Sequence, residues 1–437
     1  MWLIILFCFL PTQNAYEHPF DFIENALEKI VDWKSDPCDD FYRHACPVGS
    51  IEDIIKVSMQ PLKDALNHSW KQKGQRNEGK VYNINFRRSH ICCHFFCKLL
   101  FIYYDYQYRF INYVTFYDGM LQPLYYHVEA NVTDGINEIH QMMEDMVELG
   151  NIWLEKTPWV INNNLTEEMK NITNAIKMPV SLTKYTNFIY NLLSPIETDF
   201  LNCVSEFEGI QNNTLFCLFY SAKIFVRTRG SYFIDDNGYN AEGTIYFGFP
   251  NYYHTTYGNW RASKLGYTGT RVGHEIGHTF IEHSINPDGL PYFSKPAEDC
   301  VQNQYLKTCN EYYEGEVPDA CNTSDYTFDD NGADVFGLQL AYAILERDLS
   351  DQLREQADGL KITNEQLLFY SFAYRFCRGS KSNTTDGSHS HHNVRINAVA
   401  QMPGFQQAFN CASDSRMMKS ATKQCVIYGN NAPETRK

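Results

Sequence analysis

The chain has 437 residues, enough for about two domains of ordinary size. With 44% hydrophobic and 20% charged residues it has the makeup of a folded globule. Its net charge of −15 argues against polyanions as partners, so nucleic acid and anionic membrane surfaces are set aside.

The chain opens with an apolar run from Trp2 to Leu10, followed by Pro11 and the small residue Ala15. That run is far shorter than the ~20 residues of a membrane span, so residues 1–15 are expected to be a cleaved secretory signal. No stable membrane span is expected, and a cell-surface form held by a signal anchor is the alternative. Asn-Xaa-Ser/Thr sequons at Asn67, Asn131, Asn164, Asn171, Asn212, Asn322 and Asn383 fit glycosylation in the same compartment. Of the 14 cysteines Cys8 lies in the leader, and the others suit disulfides better than metal thiolates in an oxidising compartment. Their number is odd.

Residues 81–117 hold 13 aromatics and no Gly, Pro, Ala or Glu, with neither a helical period nor alternation. Arg87, Arg88, Lys98, Asp105 and Arg109 interrupt the segment too often for a membrane span. It reads as a doubtful insert, a translated intron or gene-model error. Its removal takes Cys92, Cys93 and Cys97 with it and leaves an even cysteine count.

From Val128 to Val180 the chain is polar with a helical period. Ile136, Ile139, Met143, Met146 and Val147 recur as one buried face, which makes these methionines core. Asn240–Tyr253, NAEGTIYFGFPNYY, has the β-branched and aromatic character of a strand running into a loop at Pro250. Gly332–Asp348 is a further helical tract.

Thr270–His283, TRVGHEIGHTFIEH, places His274 and His278 one helical turn apart with Glu275 beside them. Both imidazoles can then reach one zinc ion, and a neighbouring carboxylate can take a proton from bound water. An amphipathic helix with Val272, Ile276 and Phe280 as its buried stripe carries the same residues by chance. Gly273 and Gly277 favour the first reading, since each costs roughly 1 kcal/mol relative to alanine inside a helix and implies a close backbone approach. A zinc site needs a third protein ligand. The extended metzincin pattern fails, because Ile281 stands where a glycine belongs and His283 falls one residue short. In DDNGADVFGLQLAY, Asp329–Tyr342, Asp330 and Asp334 share one face opposite Val335, Leu338, Tyr342 and Leu345. An acidic first turn is also what any helix N-terminus favours.

Together VGHEIGHTF, DNGADVFGLQLAY, SHSHHNVR, the stretch DPCDDFYRHAC (Asp36–Cys46) and FNCASDSRMMKSATKQCVIY resemble the neprilysin and endothelin-converting-enzyme family of zinc metallopeptidases. The resemblance implies a mainly α (α+β), two-lobed zincin of gluzincin type. Residues 16–225 would form a reduced N-terminal helical capping domain and 226–437 the catalytic domain. It implies one Zn2+ per chain on His274, His278 and Asp330, with Glu275 as general base. Asp334 would orient a catalytic His389 that stabilises the oxyanion, with His391 and His392 as rivals for that role. Asn240, Ala241 and Arg395 would bind the peptide substrate. Disulfides Cys38–Cys411, Cys46–Cys377 and Cys300–Cys425 follow from the same resemblance, with Cys203, Cys217, Cys309 and Cys321 left to pair locally.

Three departures stand out against that family. Asp330 replaces a glutamate, which shortens the ligand arm by about 1.5 Å, so that either the backbone moves inward or zinc binds weakly. Thr270 and Arg271 replace apolar residues that line the pocket for the residue after the cut. The capping part is short, which implies either a more open cleft that admits larger substrates or a fragment that folds poorly. The expected activity is secreted peptide-bond hydrolysis, with a peptide-binding, catalytically weakened protein as the alternative.

Overall fold

A computed structural model describes residues 27, 30–46, 118–178, 238–241, 243–281, 292–313, 321, 325–377, 389–421 and 424–436. The leader, residues 81–117, Asn67, Asn212, Asn322, Asn383, Cys203 and Cys217 lie outside them, as do the side chains of Asn131 and Ala241. Asn164 and Asn171 are exposed. Among the described residues the chain is mainly helical, and no helix is long and apolar enough to cross a membrane.

Helix α1 (Phe41–Ala45) starts where the Asp40 carboxylate accepts from Arg43 N, satisfying one of the free N–H groups of a first turn. The long α2 (Asp118–Leu154) breaks its regular backbone at Val132. Three residues on, Gly135 N donates to Thr256 Oγ1 of another helix. Ile136, Ile139, Met142 and Met146 of α2 are at most 4% exposed, as the sequence period requires. Short helices α3 (Pro158–Asn162) and α4 (Thr166–Asn174) follow.

The expected strand at Asn240–Tyr253 divides in three. Strands β1 (Gly238–Ala241) and β2 (Thr244–Phe247) form an antiparallel hairpin in which Asn240 faces Ile245. It turns at Gly243, whose φ of +82° suits glycine. Instead of a loop, Pro250 then opens helix α5 (Phe249–Tyr257), because proline at the first turn lacks only an N–H that no helix uses. Tyr252 and Tyr253 are thus helical and buried.

Helix α6 (Arg261–Lys264) passes through a π-helical turn at Leu265–Gly269 into α7 (Thr270–Ile281), which carries the histidine motif. Ser294 caps α8 (Lys295–Tyr312). The expected helix at Gly332–Asp348 extends to α9 (Asp325–Leu349). Reciprocal bonds between Thr363 and Gln366 open α10 (Asn364–Phe376), before α11 (His392–Asn397), α12 (Pro403–Phe409) and α13 (Arg416–Ser420).

One buried core runs from Leu27 to Tyr428 and includes residues on both sides of the expected boundary at 225/226. Phe41 is fully buried against Phe405, Phe409 and Tyr370, with ring centroids 5.0, 5.1 and 5.6 Å away. Burying one such ring is worth about 1.5–3 kcal/mol. Disulfides Cys38–Cys411 and Cys46–Cys377 fasten the α1 region to the C-terminal helices, and Cys300–Cys425 ties α8 to the end of the chain. Cys309 pairs with Cys321.

Candidate metal centre

The centre lies where α7 crosses α9, and three glycines bring the helices into backbone contact. A Cβ on Gly273 would stand 2.7 Å from Gly337 Cα, and one on Gly337 would stand 2.5 Å from His274 N. One turn further along α7, a Cβ on Gly277 would meet Ala333 Cα at 3.0 Å. This approach carries Asp330 of α9 to the histidines of α7.

His274 Nε2 and His278 Nε2 are 3.0 Å apart, and Asp330 Oδ1 lies 3.5 and 3.6 Å from them. Tetrahedral donors bound to an ion at about 2.0–2.2 Å stand roughly 3.3–3.6 Å from one another, so the triangle has the size of a single metal site. Among the described residues these are the side chains grouped closely enough to hold an ion. Two imidazole nitrogens with one carboxylate oxygen is a donor set suited to a divalent ion of zinc type. The expected shortfall of Asp330 is met by helix proximity.

Behind the donors, His274 Nδ1 lies 2.9 Å from Asp334 Oδ1. An ionised carboxylate only accepts, so Nδ1 carries the proton and Nε2 is left with its lone pair toward the site. Asp334 also accepts from Arg395 Nε and Nη2, at 2.6 and 2.8 Å. Burial alone would raise the Asp334 carboxyl, but Arg395 and His274 hold it well below the usual carboxylate range. The same opposition holds Asp330 low, with burial outweighed by His274 and His389. Burial, with His274 beside it, pushes His278 down to about 3, which keeps its ring neutral as a ligand must be.

Glu275 is 4% exposed, and burial raises its carboxyl above the ordinary range against the pull of His274 and Arg375. Its side chain lies along β1, where a Cβ on Gly238 would come within 2.6 Å of Oε1. Gly238 therefore shapes the site, and sequence reasoning missed it because the contact joins residues 37 apart. Asn240 Nδ2 donates to Glu275 O and Thr279 Oγ1, at 2.7 and 3.0 Å, so its side chain pins β1 to α7. Ala241 ends the same strand.

His389 Nε2 lies 2.9 Å from Asp330 Oδ1. The expected partner of His389 was Asp334; here Asp334 meets His274 and Arg395, and His389 touches Asp330. Sequence spacing cannot distinguish these, since Asp330 and Asp334 share one helical face. Of the rival histidines, His391 sits against Tyr313 and His392 against Phe376. Arg395, expected on a substrate carbonyl, is 5% exposed and holds Asp334. Thr270 donates to Gly266 O of the preceding π-helical turn, and Arg271 is 1% exposed.

The model of peptidase family M13 matches residues 247–425, which contain every residue of the centre apart from β1. Residues 247–425 carry the pattern of peptidase family M13. The chain is similar to membrane metallo-endopeptidase-like 1 of Mus musculus, 29% identical over 179 residues that cover 38% of this chain and 23% of that protein. It is also similar to the Kell blood group glycoprotein of Homo sapiens, 27% identical over 41% of this chain and 24% of that one. Neprilysin-3 of Drosophila melanogaster is 27% identical over 39% of this chain and 23% of its own length. The match thus spans about a quarter of the length of these M13 relatives.

Proposed function

We propose that the protein is a secreted zinc-dependent endopeptidase that hydrolyses oligopeptides. The observation that carries this reading is the closed donor triangle of His274, His278 and Asp330, braced through Asp334 and Arg395. Those three side chains would hold the ion. When bound, zinc supplies a Lewis acid that polarises the scissile carbonyl and acidifies water.

The chain's own residues supply the remainder. Glu275, next to the first ligand and packed on Gly238, takes the proton of the attacking water and passes it to the departing amine. His389, whose side chain is 36% exposed, would donate to the developing oxyanion. Its contact with Asp330 is exchanged for the substrate in that step. The β1 strand, paired on one edge with β2, offers its other edge to an extended peptide. The catalytic part comprises residues 226–437, with 16–225 as a reduced cap in a two-lobed arrangement.

Peptide binding without cleavage is the second reading. It is favoured by one contact, that of His389 with the ligand oxygen of Asp330. Digestion of a peptide library by the purified protein separates the two. The proposal expects cleavage that chelator abolishes, zinc restores and Glu275→Gln lowers by at least about 100-fold with zinc retained. Peptide binding with no cleavage by the zinc-loaded protein contradicts it.

A further inference from the structure

Arg271, Arg375 and Arg395 are gathered beside the centre. Arg395 is held by both oxygens of Asp334. Arg271, on the first turn of α7, donates from Nη1 to the neutral amide oxygen of Asn251 at 2.5 Å and lies 5.3 Å from the Tyr267 ring. Arg375, on the last turn of α10, lies 4.7 Å from the Phe376 ring, and Arg395 lies 4.5 Å from that same ring. Arg375 and Arg395 thus share one aromatic ring, that of Phe376, beside the chain Arg395, Asp334, His274.

Arg375 differs from Arg395 in touching neither of the carboxylates that attract it, Asp334 and Glu275, by a direct ion pair. Its Nη1 is shut off from solvent and meets no hydrogen-bond acceptor, and it makes no ion pair among the described residues. Burial and the neighbouring charges of Arg271 and Arg395 push its guanidinium down to about 9, against the pull of Asp334 and Glu275. A guanidinium withdrawn from water without an acceptor is costly, and such a group calls for a ligand. Arg271, Arg375 and Arg395 already match Asp330, Asp334 and Glu275 in number, so a divalent ion at the centre leaves the surroundings net positive. Arg375 as a whole is half-buried, not sealed in the core.

Resting on the peptidase reading, we propose that Arg375, with Arg271 behind it, selects substrates by a carboxylate. A planar guanidinium takes a carboxylate through two parallel bonds, which discriminates an acid from its amide. In a peptide that carboxylate is an Asp or Glu side chain near the cut or the free C-terminus.

The test uses the full zinc-loaded chain with internally quenched peptides in matched pairs. One series carries Glu or Gln at each position flanking the cut, all with amidated ends. The other has neutral side chains and either a free or an amidated C-terminus. Wild type is expected to favour the acid at least about tenfold in kcat/KM in one series, and that series identifies the source of the carboxylate. In Arg375→Leu the acid-to-amide ratio is expected to fall to near 1 whatever the absolute rate, and in Arg375→Lys to an intermediate value. Dissociation constants of the same pairs, from fluorescence anisotropy, give the same ratio if no peptide is cut, so loss of the peptidase reading stays distinct from loss of this one. Equal turnover and equal binding of every pair in wild type overturn the proposal without need of a variant. An acid preference that survives in folded Arg375→Leu overturns it equally.

Discussion

Asp330 is one methylene, about 1.5 Å, shorter than a glutamate, yet its Oδ1 closes the donor triangle at 3.5 and 3.6 Å. No slack remains for a longer arm. Asp330→Glu is therefore expected to bring no gain in zinc affinity in competition with a chelating dye, and a tenfold gain would show that the short arm is limiting. Asp334→Asn removes the acceptor that fixes the His274 ring and is expected to weaken zinc about 10–100-fold. Away from the centre, His254 is fully buried against Tyr267, and burial pushes its pKa down to about 3. Unfolded, it titrates near 6.5, so below that pH the unfolded chain binds the extra proton. Its share of stability is complete above about pH 6.5 and falls as the pH drops toward about 3, with a slope of up to about 1.4 kcal/mol per pH unit. Urea midpoints across this range are expected to flatten in His254→Gln. His274, Glu275 and His278 were legible in sequence because spacings of one and four fix a helix face. Gly238 and Arg375 were not, because each acts across the fold.

Between elements, the separation of α7 and α9 decides whether the ligands meet. Gly273 and Gly337 stand opposite each other, and a Cβ on Gly337 would meet backbone atoms of His274 and Thr270 at 2.5 and 2.6 Å. Backbone cannot rotate aside as a side chain does, so Gly337→Ala is expected to destabilise by about 1–3 kcal/mol and to lower zinc content with it. Gly150→Ala is the contrast, since a Cβ there meets nothing within 4 Å and the substitution favours its helix by up to about 1 kcal/mol. Thermal melting of the two variants should shift in opposite directions, and equal shifts would remove the steric account. The glycines announced a close approach in sequence, but not its partner. The strand expected through Tyr253 ended early because Gly243 turns the chain and Pro250 starts a helix, two local signals that outweigh aromatic content.

Across the molecule, the α1 region and the C-terminal helices share one core and two disulfides that close 373 and 331 residues of sequence. These cross-links hold α10 and α11, and with them Arg375, His389 and Arg395, against the helix pair that carries the donors. The cysteine pairs were legible only through the family resemblance, since spacing alone leaves many connectivities open. All of this geometry converges on a site for one small ion between α7 and α9. Elemental analysis of the purified, dialysed chain tests that most directly. The account predicts about one zinc per chain, lost in His274→Ala and in His278→Ala. A folded wild-type chain that holds no zinc, even after exposure to the ion, would contradict it.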